Sequence, residues 1–165
     1  MPVASKYTIT TNRKTSNEPL ETLTDGKLAD NFGPVFGNGI LDGLYKLDLG
    51  SVEPITAINS YSFNKGGKRG AQNVTIFASD LAKDPGWDLK KLTPIGTIRT
   101  GEATTNYTAA SLKAASAKTI GNYRWIIWAT TPIGDAGGGE NTAFQELSVE
   151  TTEDVSRKGE IRMTK

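Results

Sequence analysis

The chain has 165 residues, 22% of them charged and 36% hydrophobic, with a net charge of +1. That balance suits one globular domain with its own core, and it gives no case for nucleic acid, whose binding needs many neutralised phosphates. With no Cys and no His, disulfides, thiolate catalysis, Cys-ligated zinc and the commonest general base are excluded; no apolar run approaches the roughly 18 residues that span a bilayer, so no membrane partner is expected.

The opening stretch "MPVASKYTIT" lacks an apolar h-region, so no signal peptide is expected there. Residues 1–19 read as a loosely held lead-in. In "ETLTDGK" (21–27), Asp25-Gly26 is a turn dipeptide, because Gly accepts positive φ and Asp bonds its own backbone. A long loop follows at 30–43, where Phe32 and Phe36 belong to no periodic pattern and are expected to be exposed. "LYKLDLG" puts Tyr45, Leu47 and Leu49 on one face. "PITAINSYSFN" carries Ile55, Ile58, Tyr61 and Phe63, a long strand or a strand with a bulge. After a loop at 64–70, "NVTIFAS" alternates with Val74, Ile76 and Ala78 together. Another loop spans 80–91. "LTPIGTIRT" contains Pro94 and reads as an edge strand. The Ala-rich block 108–118 is either a short helix or a loop and strand with Leu112 inward. "NYRWIIWATT" is apolar on both faces, as a central strand is, with Trp125 and Ile127 on one and Ile126 and Trp128 on the other. A Gly-rich loop at 132–141 leads to "TAFQELSVE", where Leu147 and Val149 point inward and Glu146 the other way. Residues 152–165 are charged and lack periodicity, as an extension or linker does. The pattern predicts an all-β domain, a β-sandwich, over 20–151.

No spacing among the loop acids Asp30, Asp42, Asp80, Asp84, Asp88, Asp135 and Glu140 forms a recognisable catalytic pair, and the nucleophile-elbow, phosphate-loop and zinc-protease motifs are absent. No enzyme is expected. Trp125 and Trp128 read as core residues, whereas Trp87 is either a structural wedge or a ligand contact. Lys65, Lys68 and Arg69 form either a solvated hairpin tip or a polar-ligand site. In the second case the planar fork of Arg69 works beside Asn64 or Gln72. Asp25 gains a further reading from the last strand. If the first and last strands are neighbours, Glu146 meets the Asp25 loop, and two carboxylates with Thr24 and nearby carbonyls suit a hard cation.

The order "LTDG", "YKLDLGSVEPITAINSYSF", "RGAQNVTIFASD", "YRWIIWA" and "TAFQELSVE" resembles the discoidin, or coagulation-factor 5/8 type C, group of galactose-binding-like domains, and the carbohydrate-binding modules that share that fold. The resemblance covers about residues 20–150. It implies a jelly-roll β-sandwich of about eight antiparallel strands in two sheets. It also implies a structural Ca²⁺ held by Asp25 and Glu146, with carbonyls from Leu23, Lys27 and Thr142 or Ala143. The missing Cys points to a bacterial-type member, and the missing His departs from several sugar-binding ones. The function so implied is a non-catalytic, lectin-like carbohydrate-binding module within a larger secreted or cell-surface protein. Phe36 or Trp87 would stack on the sugar, and Asn38, Asn64, Arg69, Asp135 and Asn141 would hydrogen-bond it. The alternative is a protein–protein or adhesion module of the same fold.

Overall fold

One very long strand ties the molecule together. The computed structural model describes residues 7–101, 104–115, 118–133 and 140–154. In it, strand β4 (Leu44–Phe63) runs for 20 residues and serves two layers. Its first half pairs with β1 (Thr8–Thr11) and with β8 (Gly121–Thr130). From β8 the same layer continues through β5 (Asn73–Ser79) to β6 (Thr93–Arg99). The second half of β4 pairs with β7 (Tyr107–Lys113) and β9 (Phe144–Thr151). All these pairings are antiparallel. The handover falls at Ile55, which partners Gly121 of β8 and Thr151 of β9 beside a register break between Ile55 and Ala57, the kind of irregularity that bends a strand. A separate two-residue pair, β2 (Thr15–Ser16) with β3 (Val35–Phe36), closes the early loops. The fold is thus the expected all-β jelly-roll sandwich, with nine strands among the described residues.

Period-2 alternation fills its centre. Tyr45, Leu47, Val74, Ile76, Ile126 and Trp128 enter from one layer, and Ile58, Phe144, Leu147 and Val149 from the other. Each large apolar side chain so buried contributes about 1.5–3 kcal/mol. Strand β8 is apolar on both faces because its outer face is covered too. Trp125 and Ile127 pack there with Leu44 and Leu92, under Trp87 and Leu89 of the 80–92 loop. Lys46 fastens that cover. It is only 1% exposed, and its ammonium lies 2.5 Å from Asp84, 3.2 Å from the Gly86 carbonyl and 3.8 Å from the Trp87 ring centre.

Several expectations are settled by this arrangement. Pro94 lies in β6, the edge strand, where a missing N–H costs no ladder bond. The 107–113 segment is a strand, because the ladder with β4 overrides the helical leaning of its alanines; Leu112 packs half-buried against the core. The sandwich also begins earlier than the expected residue 20, since Ile9 of β1 is buried in the core. At the far end, the Asp154 carboxylate accepts the Thr151 N–H at 2.8 Å and closes β9; the remaining tail lies outside the described residues. Phe36 is the clear correction. It is 1% exposed and stacked on Tyr45 at 4.6 Å, so it is a core residue and not a sugar platform. Gly43 permits this, because a Cβ there would collide with the Phe36 ring.

Candidate functional site

Two places gather the predicted residues. The first joins the chain ends. A 3₁₀ turn at Leu20–Thr24 packs against β9 and buries Leu23 completely. Asp25-Gly26 then turns the chain, with Gly26 at φ +78° and the Asp25 carboxylate accepting the Lys27 N–H at 2.8 Å. The turn reading is therefore correct as far as it goes. Yet Glu146, 120 residues on, reaches into the same turn. Its Oε1 accepts the N–H groups of Gly26 at 2.9 Å and Lys27 at 3.2 Å. Glu146 is fully buried, and its Oε2 has no hydrogen-bond partner among the described residues. Burial, then the facing Asp25 carboxyl at hydrogen-bond range, pushes the Glu146 carboxyl up to about 9, against the opposing pull of the two N–H donors.

A buried carboxyl with an unpartnered oxygen, set against the exposed carboxyl of Asp25, fits a hard cation that takes oxygen ligands. Among the described residues no three acidic side chains cluster, so the remaining donors in such a set are neutral oxygens. The carbonyls of Leu23 and Lys27 flank the turn. From the β9 side Thr142 has its carbonyl to offer, since its hydroxyl donates to the Ala71 carbonyl at 2.6 Å; the Ala143 carbonyl already accepts the Phe63 N–H at 2.8 Å.

The second place is the loop end beyond the C-terminus of β4. Residues Lys65 to Lys68 form a tight hairpin, bonded in both directions at 3.1 Å. Gly66 and Gly67, at φ +61° and +82°, supply the two left-handed positions that turn demands. Arg69 follows at φ +68°, a strained conformation for a residue with a Cβ. Its guanidinium donates to the Asn38 side-chain oxygen at 2.6 Å and lies 5.3 Å from the Phe32 ring centre. Lys65 stands 5.9 Å from the same ring. Phe32 packs edge-on against Phe63, and Phe63 against Tyr107, leaving Phe32 half-buried.

The ring's loop is held from several sides. The Gln145 amide accepts the Ala29 N–H at 3.0 Å and donates to the Asn31 carbonyl. The Asn17 amide donates to the Phe32 carbonyl, and the Tyr107 hydroxyl donates to Asp30 at 2.9 Å. Burial and the Asp30 carboxylate both raise the Tyr107 phenol above its ordinary range. A ring, a guanidinium and an amide are thus held together at this loop end.

The structure sorts the other predicted ligand residues into different roles. Asn38 and Arg69 are at the surface and together. Asn64 is buried and ties the hairpin to a neighbouring loop, its amide donating to the Thr105 carbonyl at 3.0 Å. Asn141 is also buried, donating to the Gly37 carbonyl at 3.0 Å, and so holds the loop that carries Asn38. Gln72 is not a ligand contact either. It is 1% exposed and braces the hairpin from below, its amide nitrogen donating to Ser62 Oγ and the Thr108 carbonyl, both at 3.1 Å. Trp87 stands elsewhere, over Lys46 on the outer face of the five-strand layer. There it lines a separate hollow of about 380 Å³ with Phe77, Leu41 and Thr131. Asp135 lies outside the described residues. Tyr107, Gln145 and Asn17 escaped the sequence reading, because nothing local marks a side chain whose partner lies many residues away.

No protein-family model matches the chain, and no curated protein matches it at a significant level. Solved structures do. The C-terminal domain of a chitobiase from Bacteroides fragilis superposes with a TM-score of 0.62 at 17% identity, over 92% of this chain and 97% of that one. A family 32 carbohydrate-binding module of NanJ from Clostridium perfringens, solved with galactose, gives 0.59 at 14% identity over 87% and 92%. The family 32 module of AlyQ, solved with 4,5-unsaturated mannuronic acid, gives 0.58 at 18% identity over 87% and 93%. The chain therefore shares the discoidin-like fold of these modules.

Proposed function

We propose that this chain is a non-catalytic carbohydrate-binding module whose site is the loop end around Phe32, Asn38 and Arg69. The observation that carries the reading is the Phe32 ring, half-buried on a loop pinned at four points, with the Arg69 guanidinium 5.3 Å from its centre. An aromatic face suits the C–H face of a pyranose, and the guanidinium's remaining N–H groups suit its hydroxyls. The fold neighbours solved with sugars favour the same reading. Such a shallow site binds weakly, on the order of micromolar to millimolar, and linkage to further modules in a longer secreted or surface protein would raise the effective affinity.

A structural Ca²⁺ at the chain ends belongs to the same proposal. Asp25 and Glu146 would ligate it through carboxylates and Leu23, Lys27 and Thr142 through carbonyls. The ion would supply the positive charge that the buried Glu146 carboxylate and the facing Asp25 otherwise lack, holding the turn against β9 and with it the base of the Phe32 loop.

A glycan array probed with the wild-type chain and with Arg69→Ala, in millimolar Ca²⁺, tests the binding reading. Hits that vanish in the variant are expected. An array without a hit, or hits indifferent to Arg69, would overturn it.

A further inference from the structure

The hairpin at the loop end gathers positive charge. Its described residues include three cations within five positions, Lys65, Lys68 and Arg69. The ion pairs among the described residues are Arg13–Asp42, Lys46–Asp84 and Arg124–Asp48, and none uses these cations. Asp30, the acid on the Phe32 loop, accepts from the neutral Tyr107 hydroxyl and keeps its own charge, so the hairpin cations outnumber it three to one. Lys65 and Lys68 are direct cross-strand partners. Paired residues share a face of a hairpin, and like charges placed so are destabilising. Arg69 adds a left-handed backbone, which a residue with a side chain adopts only where the surroundings impose it. The same backbone is fixed by the Ala143 N–H on the Arg69 carbonyl at 2.9 Å. Like-charge pairing and backbone strain both work against stability, and both serve to hold positive groups in place. Two of those groups, Lys65 and Arg69, converge on one ring.

We propose that the saccharide taken at this loop end is acidic: a uronic acid whose ring lies on Phe32 and whose carboxylate is received by Arg69, with Lys65 and Lys68 beside it. This rests on the carbohydrate-binding reading above and names the ligand class within it. The match is geometric as well as electrostatic. Arg69 uses one nitrogen on Asn38 and keeps further N–H donors in the plane that matches a carboxylate. A uronic acid has an apolar ring face and a carboxylate at one edge, so one residue meets both the ring and the cations. A neutral sugar would leave the hairpin charges unused.

The test compares a galacturonic acid trimer with the same trimer after reduction of its carboxyl groups, by calorimetric titration of the full chain in Ca²⁺. A charge-assisted hydrogen bond predicts binding of the acid roughly tenfold to a hundredfold tighter than its reduced form. Raising the salt from ~50 to ~500 mM should weaken the acid and leave the neutral form unmoved. Arg69→Gly suits the left-handed backbone, so it should fold normally and bind the acid at least about tenfold more weakly. The Lys65→Gln, Lys68→Gln double variant should lose a smaller factor and most of the salt dependence. Equal affinity for both trimers, or array hits confined to neutral or sulfated glycans, would overturn the acidic assignment and leave the carbohydrate reading standing. No binding to any saccharide would overturn both.

Discussion

Replacing Glu146 by Gln separates a metal ligand from a structural hydrogen-bond acceptor. The Gln oxygen can keep the Gly26 and Lys27 N–H bonds that Glu146 makes at 2.9 and 3.2 Å, and its NH₂ can face Asp25 as a protonated carboxyl would. With the Glu146 carboxyl raised to about 9, the metal-free protein carries a proton there at neutral pH. The variant should therefore melt close to metal-free wild type. Calcium changes the comparison. At a hundred times Kd, an ion bound only by the folded chain adds about 2.7 kcal/mol, which raises Tm by roughly 5–10 °C in a domain of this size. The variant has lost one of two carboxylates and should gain only a small part of that. Differential scanning calorimetry in EDTA and then across a CaCl₂ series measures both. The pH dependence has a definite sign. In EDTA the folded value of about 9 lies above the ordinary 4.5, so the stability this group contributes is complete below the ordinary value and is lost as pH rises through 9. The gain from Ca²⁺ grows over that same window, as the competing proton leaves. A wild-type Tm that is the same in EDTA and in millimolar Ca²⁺ would refute the staple. So would a Gln variant that has already collapsed in EDTA.

Arg69→Gly should melt within about 1 kcal/mol of wild type, because relief of the left-handed strain offsets the added chain entropy; a large loss by urea denaturation would show that the guanidinium is structural. Gln72→Leu should cost about 1–3 kcal/mol by the same method, since it leaves the buried Ser60 hydroxyl without its acceptor and removes the N–H that Ser62 Oγ accepts, although Ser62 keeps its bond to the Gly70 carbonyl. Trp87→Ala should cost about 2–3 kcal/mol, less than a fully buried Trp because the ring is partly exposed, and should leave glycan binding unchanged. Asp48 is held below the usual carboxylate range, first by the Arg124 guanidinium that grips it at 2.8 and 3.1 Å and then by the Gly50 N–H. Its contribution is complete above the ordinary carboxylate value and is lost as pH falls through the lowered one, so Arg124→Gln should flatten the acid side of a Tm–pH curve.

The sandwich is legible in the sequence wherever burial follows a period. Val74, Ile76 and Ala78 alternate because one face of β5 meets the core, and Trp125 to Trp128 are apolar throughout because β8 is covered twice. Pro94 marks its edge for a local reason, a missing donor. Phe36 is different. It sits in a Gly-rich loop without a period, and only the stacked Tyr45 and the close Gly43 make it a core residue. The same limit applies to the site. Asp25 and Glu146 could be paired from the alternation of the last strand together with the family resemblance. The Phe32 loop depends instead on Asn17, Tyr107 and Gln145, each acting across a long stretch of chain. Asn64 and Gln72 are recognisable as polar and near the hairpin, and Asn141 as a polar residue of the Gly-rich loop, but burial turns all three from ligand contacts into braces.

The most direct test of the central claim is a chemical-shift map, recorded by titrating the isotope-labelled chain with the tightest saccharide from the array. The account predicts that the largest changes fall on Phe32, Asn38, Lys65 and Arg69. Changes gathered instead around Trp87, Phe77 and Thr131 would place the sugar in the hollow on the outer sheet face and contradict it.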